Sequence, residues 1–152
     1  MGKVAILLGS KSDEDVMRGC SDYLTRFGIE YELKVLSAHR QPDETAAFVK
    51  NAEKNGFSII IAAAGMAAHL PGVAASHSML PVIGVPLDGS ALHGIDALYS
   101  IVQMPSGIPV AAVAIGSAGA KNAAILAAEI LALHDPGLKT KLSEFRKGGA
   151  RF

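Results

Sequence analysis

Five short apolar runs punctuate the chain: "KVAILL" (3–8), "YELKVL" (31–36), "SIIIAAA" (58–64), "PVIGVPL" (81–87) and "PVAAVAI" (109–115). Four are nearly continuous in apolar residues, as parallel strands covered on both faces are, while the second alternates more, as an outer strand does. Helical periodicity separates them. In 13–27, Val16, Cys20, Tyr23, Leu24 and Phe27 recur on one face, and Gly28 supplies a C-terminal stop. Pro42 opens a second helix with the stripe Phe48, Val49 and Ala52, and Gly56 ends it. Further helices are predicted over 67–79, where Pro71 and Gly72 interrupt the pattern, over 93–104, and over the alanine-rich 117–134, whose small faces permit close packing against a neighbour.

Strands alternating with helices through short connections predict an α/β fold with one doubly wound parallel sheet. The expected architecture is a flavodoxin-like three-layer sandwich with a C-terminal helix. A chain of 152 residues suits a single domain, taken as 1–152. The last stretch, "KTKLSEFRKGGARF", reads as an exposed helix and its fraying end.

Composition narrows the function classes. Fourteen basic residues balance fourteen acidic ones, so no field selects nucleic acid or an anionic membrane. The lone Cys20 excludes an intramolecular disulfide and a cysteine-based zinc site, and fits a reducing cytoplasm. The five histidines follow no familiar metal spacing, and no cofactor or metal is expected. Half of the residues are apolar and only 18% are charged, too few for a small monomer to cover itself. A membrane protein is disfavoured: the N-terminal apolar core is too short for a signal peptide, and the charge-free 97–120 stretch contains Pro105, Gly107 and Pro109. The remaining explanation is a homo-oligomer.

In doubly wound sheets, ligands sit beyond the carboxyl ends of the strands. The loops expected there are "GSKSD" (9–13), "SAHRQP" (37–42), "AGMAAHLPG" (64–72), "DGSALHG" (88–94) and "GSAGAKN" (116–122). The first admits two readings. Ser12 could cap the following helix, with Asp15 completing a weak capping box. Alternatively, Ser10, Ser12 and free backbone N–H groups could hold phosphate oxygens, although Asp13, Glu14 and Asp15 repel a phosphate and suit a sugar diol better. Neither a GxxxxGK[ST] nor a GxGxxG string is present. In the second loop, Arg40 beside Ser37 offers a permanently charged fork for a phosphate, or is an ordinary exposed arginine before a helix. His39 can exchange a proton at neutral pH, or merely order a turn. His69 carries the same ambiguity, while His77, His93 and His134 read as structural or surface residues. Small residues around Gly65 could let backbone approach a ligand closely, or simply pack.

Taken together the loops resemble one family, PurE, the catalytic subunit of bacterial phosphoribosylaminoimidazole carboxylase. The matching strings are "GSKSD" (9–13), "SAHR" with Pro42, "AAHLPG" (67–72), "LYSIVQMP" (98–105) with "GIPV" (107–110), and "NAAILAA" (122–128), in one register along nearly the whole chain. The resemblance implies an enzyme of purine biosynthesis acting on a carboxylated aminoimidazole ribonucleotide. By motif, Ser10, Ser12, Ser37 and Arg40 address the substrate, with the arginine and serines on its phosphate. Asp13 holds the ribose, Gly65 and His69 complete the substrate contacts, and His39 is the general acid/base. "AAHLPG" resembles the mutase branch, which isomerises N5-carboxyaminoimidazole ribonucleotide without ATP. Ala63 and Met66 depart from the glycines usual in "GAGGAAHLPG". The resemblance further implies an octamer with sites between subunits, CO2 as a bound species, and a functional link to an ATP-dependent carbamate-forming synthetase. Direct CO2-dependent carboxylation and a non-catalytic nucleotide-binding module are the competing functions.

Overall fold

Successive residues of a strand point to opposite faces, and here both faces are apolar. On β1 (Lys3–Leu8), Val4, Ile6 and Leu8 join one core while Ala5 and Leu7 join another. On β3 (Phe57–Ala64), Ile59, Ile61 and Ala63 continue the first, and Ile60, Ala62 and Ala64 the second. Such strands are stable only between two helical layers. The first core is closed by α1 (Glu14–Phe27), α5 (Ser117–Leu131) and α6 (Pro136–Lys147), the second by α2 (Pro42–Asn51), α3 (Leu70–His77) and α4 (Ile95–Val102). The structure, a computed structural model, describes residues 2–152.

With β2 (Tyr31–Val35), β4 (Val82–Pro86) and β5 (Ala111–Ala112), the strands form an all-parallel sheet ordered β2-β1-β3-β4-β5. Leu8 faces Val35 on one side and Ala63 on the other, and Ala63 faces Val85. The carboxyl ends of four strands are therefore level, and their loops emerge side by side. The chain reverses its winding direction between β1 and β3, the position where such folds open a crevice. Edge strand β2 is half-exposed and charged: Lys3 Nζ donates to Glu32 Oε2 at 3.0 Å, and Lys34 Nζ lies 3.1 Å from Oε1. The hydrogen bonds from Lys3 and Lys34 hold the Glu32 carboxyl below its ordinary value.

Differences from the sequence reading have local causes. The first helical cap is Ser10 rather than Ser12. Ser10 Oγ accepts from the Ser12 N–H, and Asp13 Oδ2 accepts from the Ser10 N–H, closing a capping box on a 3-10 turn over Lys11–Asp13 that precedes α1. Pro71 does not interrupt α3 but lies in its first turn, where its missing N–H costs nothing. β5 is two residues long, far shorter than its apolar run. The alanine face of α5, including Ala120, Ala123, Ala127 and Ala128, turns inward onto α1 and the sheet rather than to a subunit contact. Close approach is extreme at Gly119, where a Cβ would stand 1.6 Å from the Ala114 carbonyl oxygen.

The C-terminal segment is not simply exposed. Leu138, Leu142 and Phe145 of α6 are buried, and the Phe152 ring lies 5.0 Å from those of Phe27 and Tyr23. Edge-on aromatic contacts of this kind contribute about 0.5–1.5 kcal/mol beyond burial, which holds the terminus against α1. Cys20 is fully buried on α1, and burial pushes its thiol up to about 12, so it is inert at neutral pH. Among the described residues, no helix is long and apolar enough to cross a membrane.

Candidate active site

Three turns stiffen the floor of a cleft at the β1/β3 crossing point. After β1, the Ser10–Asp13 box fixes the two serines, whose hydroxyl oxygens lie 3.0 Å apart. After β2, the Arg40 N–H donates to Ser37 Oγ at 3.2 Å and the Ser37 N–H to Gln41 Oε1 at 3.3 Å. Below this turn Thr45, the one buried polar residue among those described, donates its hydroxyl to the Gln41 carbonyl at 2.7 Å. Left unpaired, that hydroxyl would cost about 1–3 kcal/mol, so the bond anchors the turn to α2. After β3, Gly65 runs beside Leu87, the residue following β4: a Cβ there would make ordinary contact with the Leu87 carbonyl oxygen at 3.6 Å.

The cleft encloses about 460 Å³. Ser10, Ser12 and Asp13 line it from the first loop, Ser37, His39 and Arg40 from the second, and Gly65 and His69 from the third. All eight residues expected from the sequence therefore meet in one place. The fifth loop, 116–122, does not line the cleft, because β5 lies at the far edge of the sheet. Leu87 and Gly89, following β4, line the cleft and were not singled out from the sequence. Their signal was available, since the 88–94 loop falls on the same edge, but neither side chain carries chemistry.

The contact that most defines the site joins residues thirty positions apart. His39 Nε2 lies 2.6 Å from His69 Nδ1, with the two rings edge to face. Such a bond requires one nitrogen to carry a proton and the other a lone pair. The pair thus holds a transferable proton at the mouth of the cleft. Nearby, Arg40 is exposed and has no acidic partner among the described residues, leaving its fork free for an anion. The Ser37 hydroxyl accepts from backbone and keeps its own proton to donate. Asp13 is engaged through Oδ2 only, which leaves Oδ1 to accept from hydroxyl groups. Among the described residues, no three His, Cys, Asp or Glu side chains converge as a metal site.

Two features carry strain. Burial raises the Asp13 carboxyl above its ordinary value near 3.8, against the opposing pull of the Ser10 N–H. Met66 adopts φ 55° in the left-handed region, although it is not glycine. That conformation costs a residue with a Cβ about 1–2 kcal/mol.

An anion fork, a carboxylate and an imidazole pair share one crevice of a flavodoxin-like sheet, in a small α/β protein whose site has the groups to hold an anion, accept from hydroxyls and pass a proton. The chain belongs to the AIR carboxylase family, whose model matches residues 3–151. An N5-carboxyaminoimidazole ribonucleotide mutase from Vibrio vulnificus is 54% identical over 144 residues, covering 95% of this chain and 89% of its own. One from Escherichia coli is 52% identical over 145 residues, covering 95% and 86%. The crystal structure of Treponema denticola PurE superposes with a TM-score of 0.88 at 32% identity, covering 97% of this chain and 91% of that one.

The Asp13 environment has a consequence for stability. Because its folded value is raised, the fold favours protonated Asp13: that contribution is full below the unfolded value and is lost as pH rises through the folded one. Asp13→Asn keeps an oxygen for the Ser10 N–H and removes the charge. Its Tm at neutral pH should equal or exceed that of the wild type, and the margin should shrink on acidification toward pH 3.8. Scanning calorimetry of both proteins across that range checks it; a lower Tm for the variant at neutral pH contradicts the account.

Proposed function

We propose that the protein converts N5-carboxyaminoimidazole ribonucleotide to 4-carboxyaminoimidazole ribonucleotide in purine biosynthesis. The observation that carries the reading is the His39–His69 hydrogen bond, set in the same cleft as Arg40 and Asp13. The mutase names of relatives above half identity support the same reaction.

In this reading Arg40 and the hydroxyls of Ser10, Ser12 and Ser37 take the phosphate, and Asp13 accepts from the ribose diol. The aminoimidazole then lies toward His39, with Gly65 and His69 along its edge. Protonated His39 donates to the carbamate nitrogen, the C–N bond breaks, and CO2 is released beside the ring. The enamine-like ring carbon attacks this CO2, and neutral His39 removes the ring proton to restore aromaticity. One group in two protonation states therefore serves both steps. Retaining CO2 matters because a positioned pair reacts with an effective molarity on the order of 10⁵ M, which escape forfeits.

Oligomerisation belongs to the proposal. Ile95, Tyr99 and Val102 form an exposed apolar stripe along α4, continued by Leu92 at 61% exposure. Self-association covers that face, and the family resemblance points to an octamer with each cleft beside a neighbouring subunit. The family match over residues 3–151 supports reading the chain as one domain. A buried reduced Cys20 and a phosphorylated substrate suit the cytoplasm, downstream of an ATP-dependent synthetase that makes the carbamate.

Four measurements test this. Supplied with the carbamate and no bicarbonate, the wild type should form the 4-carboxy product, whereas a need for added bicarbonate identifies direct carboxylation instead. His39→Asn should lower kcat by about 10²–10⁴-fold while ribonucleotide affinity changes little; full turnover removes the assigned role. Arg40→Ala should weaken ribonucleotide binding about 10–100-fold, as expected for loss of a charged hydrogen bond, and unchanged affinity in calorimetry rejects the phosphate contact. Sedimentation at micromolar concentration should give a mass several times 15.7 kDa; a monomer refutes the assembly.

A further inference from the structure

Met66 combines three properties that no other cleft residue shares. Its backbone is held at φ 55°, its side chain is 65% exposed, and it lines the cavity two positions before Ala68 and three before His69. Of the other non-glycine residues with positive φ, His93 and Ala150, neither lines the cleft. Strain of this kind persists where surrounding structure enforces it, and clusters at ligand clamps. Within the protomer, no burial of the Met66 side chain compensates for the backbone. Its neighbours Gly65, Ala67 and Ala68 present nothing larger than a methyl group, and Leu70, the other long apolar residue lining the cavity from this loop, is buried in the core, so Met66 is the exposed one. A thioether on an unbranched stem is well suited to fold over a small apolar guest.

We propose that Met66 is a specificity-determining residue: its side chain covers the reacting end of the bound ribonucleotide and keeps the released CO2 beside the ring carbon. The inference rests on the mutase reading and deepens it. The steps balance without a co-reactant. The His39 proton moves to the carbamate nitrogen as the C–N bond breaks, giving an amine and CO2. The ring carbon's electron pair forms the new C–C bond, and the ring proton returns to His39. If CO2 leaves between these steps, the product is the decarboxylated amine and the escaped CO2 hydrates to bicarbonate. The ratio of 4-carboxy product to decarboxylated amine therefore reports retention directly.

The test gives carbamate to the full-length enzyme in degassed buffer and corrects for its spontaneous decay. A wild type that forms no 4-carboxy product fails the mutase reading itself, before Met66 is at issue. Given wild-type conversion, Met66→Gly should raise the decarboxylated share severalfold, with a Tm no lower, since glycine relaxes the backbone. Met66→Leu, which restores apolar bulk, should return the ratio to that of the wild type. An unchanged ratio in Met66→Gly overturns the proposal, as does a Met66→Leu enzyme that leaks like the glycine variant. A changed ratio accompanied by a smaller sedimenting mass also overturns it, because Met66 then serves a subunit contact.

Discussion

Burial of β1, β3 and β4 on both faces is the constraint from which the rest follows. Their backbones can satisfy their hydrogen bonds only within the sheet, and their side chains only between two helical layers. Parallel pairing then forces every connection to cross over, so all the strand ends of one kind lie on one edge. With the order β2-β1-β3-β4-β5, the loops after β1 and β3 depart on either side of the reversal, and a crevice between them is unavoidable. The cleft is thus a property of the winding, and the loop residues only furnish it.

Furnishing divides between rigid polar turns and a nearly featureless wall. The Ser10–Asp13 box and the Thr45-anchored turn before α2 use backbone hydrogen bonds to hold Ser10, Ser37 and Arg40 before any ligand arrives. Such preorganisation removes ordering costs from the binding step. The opposite wall, Gly65 to Ala67, offers shape instead of charge. Asp13 shows the compromise: burial disfavours its charged form, yet the proposed contact with a sugar diol uses that charge. Site and stability pull against each other there, and again at the left-handed Met66.

Much of the architecture was legible along the chain because burial on both faces leaves uninterrupted apolar runs. Strands at 3–8, 58–64 and 81–87 match the observed β1, β3 and β4 within a residue or so at each end. The reading was poorer where tertiary context overrides local pattern. The run at 109–115 keeps only Ala111 and Ala112 as strand, in register with Ile83 and Gly84 of β4. Periodicity placed the first cap at Ser12, since it cannot register a single 3-10 turn ahead of α1. The small residues of α5 were compatible with packing inside or between protomers, and composition does not distinguish those destinations.

Residue types and their order along the chain sufficed for the layers, the strand-end loops and the groups with chemistry to offer, because hydrophobic period and turn residues are local quantities. Family membership was legible too, through short strings kept in one register. Distance was not. That His39 Nε2 and His69 Nδ1 stand 2.6 Å apart, that Arg40 has no carboxylate partner among the described residues, and that Met66 bends into the left-handed region depend on how four loops converge. Such contacts join residues remote in sequence, and only a folded sheet, with its fixed strand spacing and register, assigns them their places.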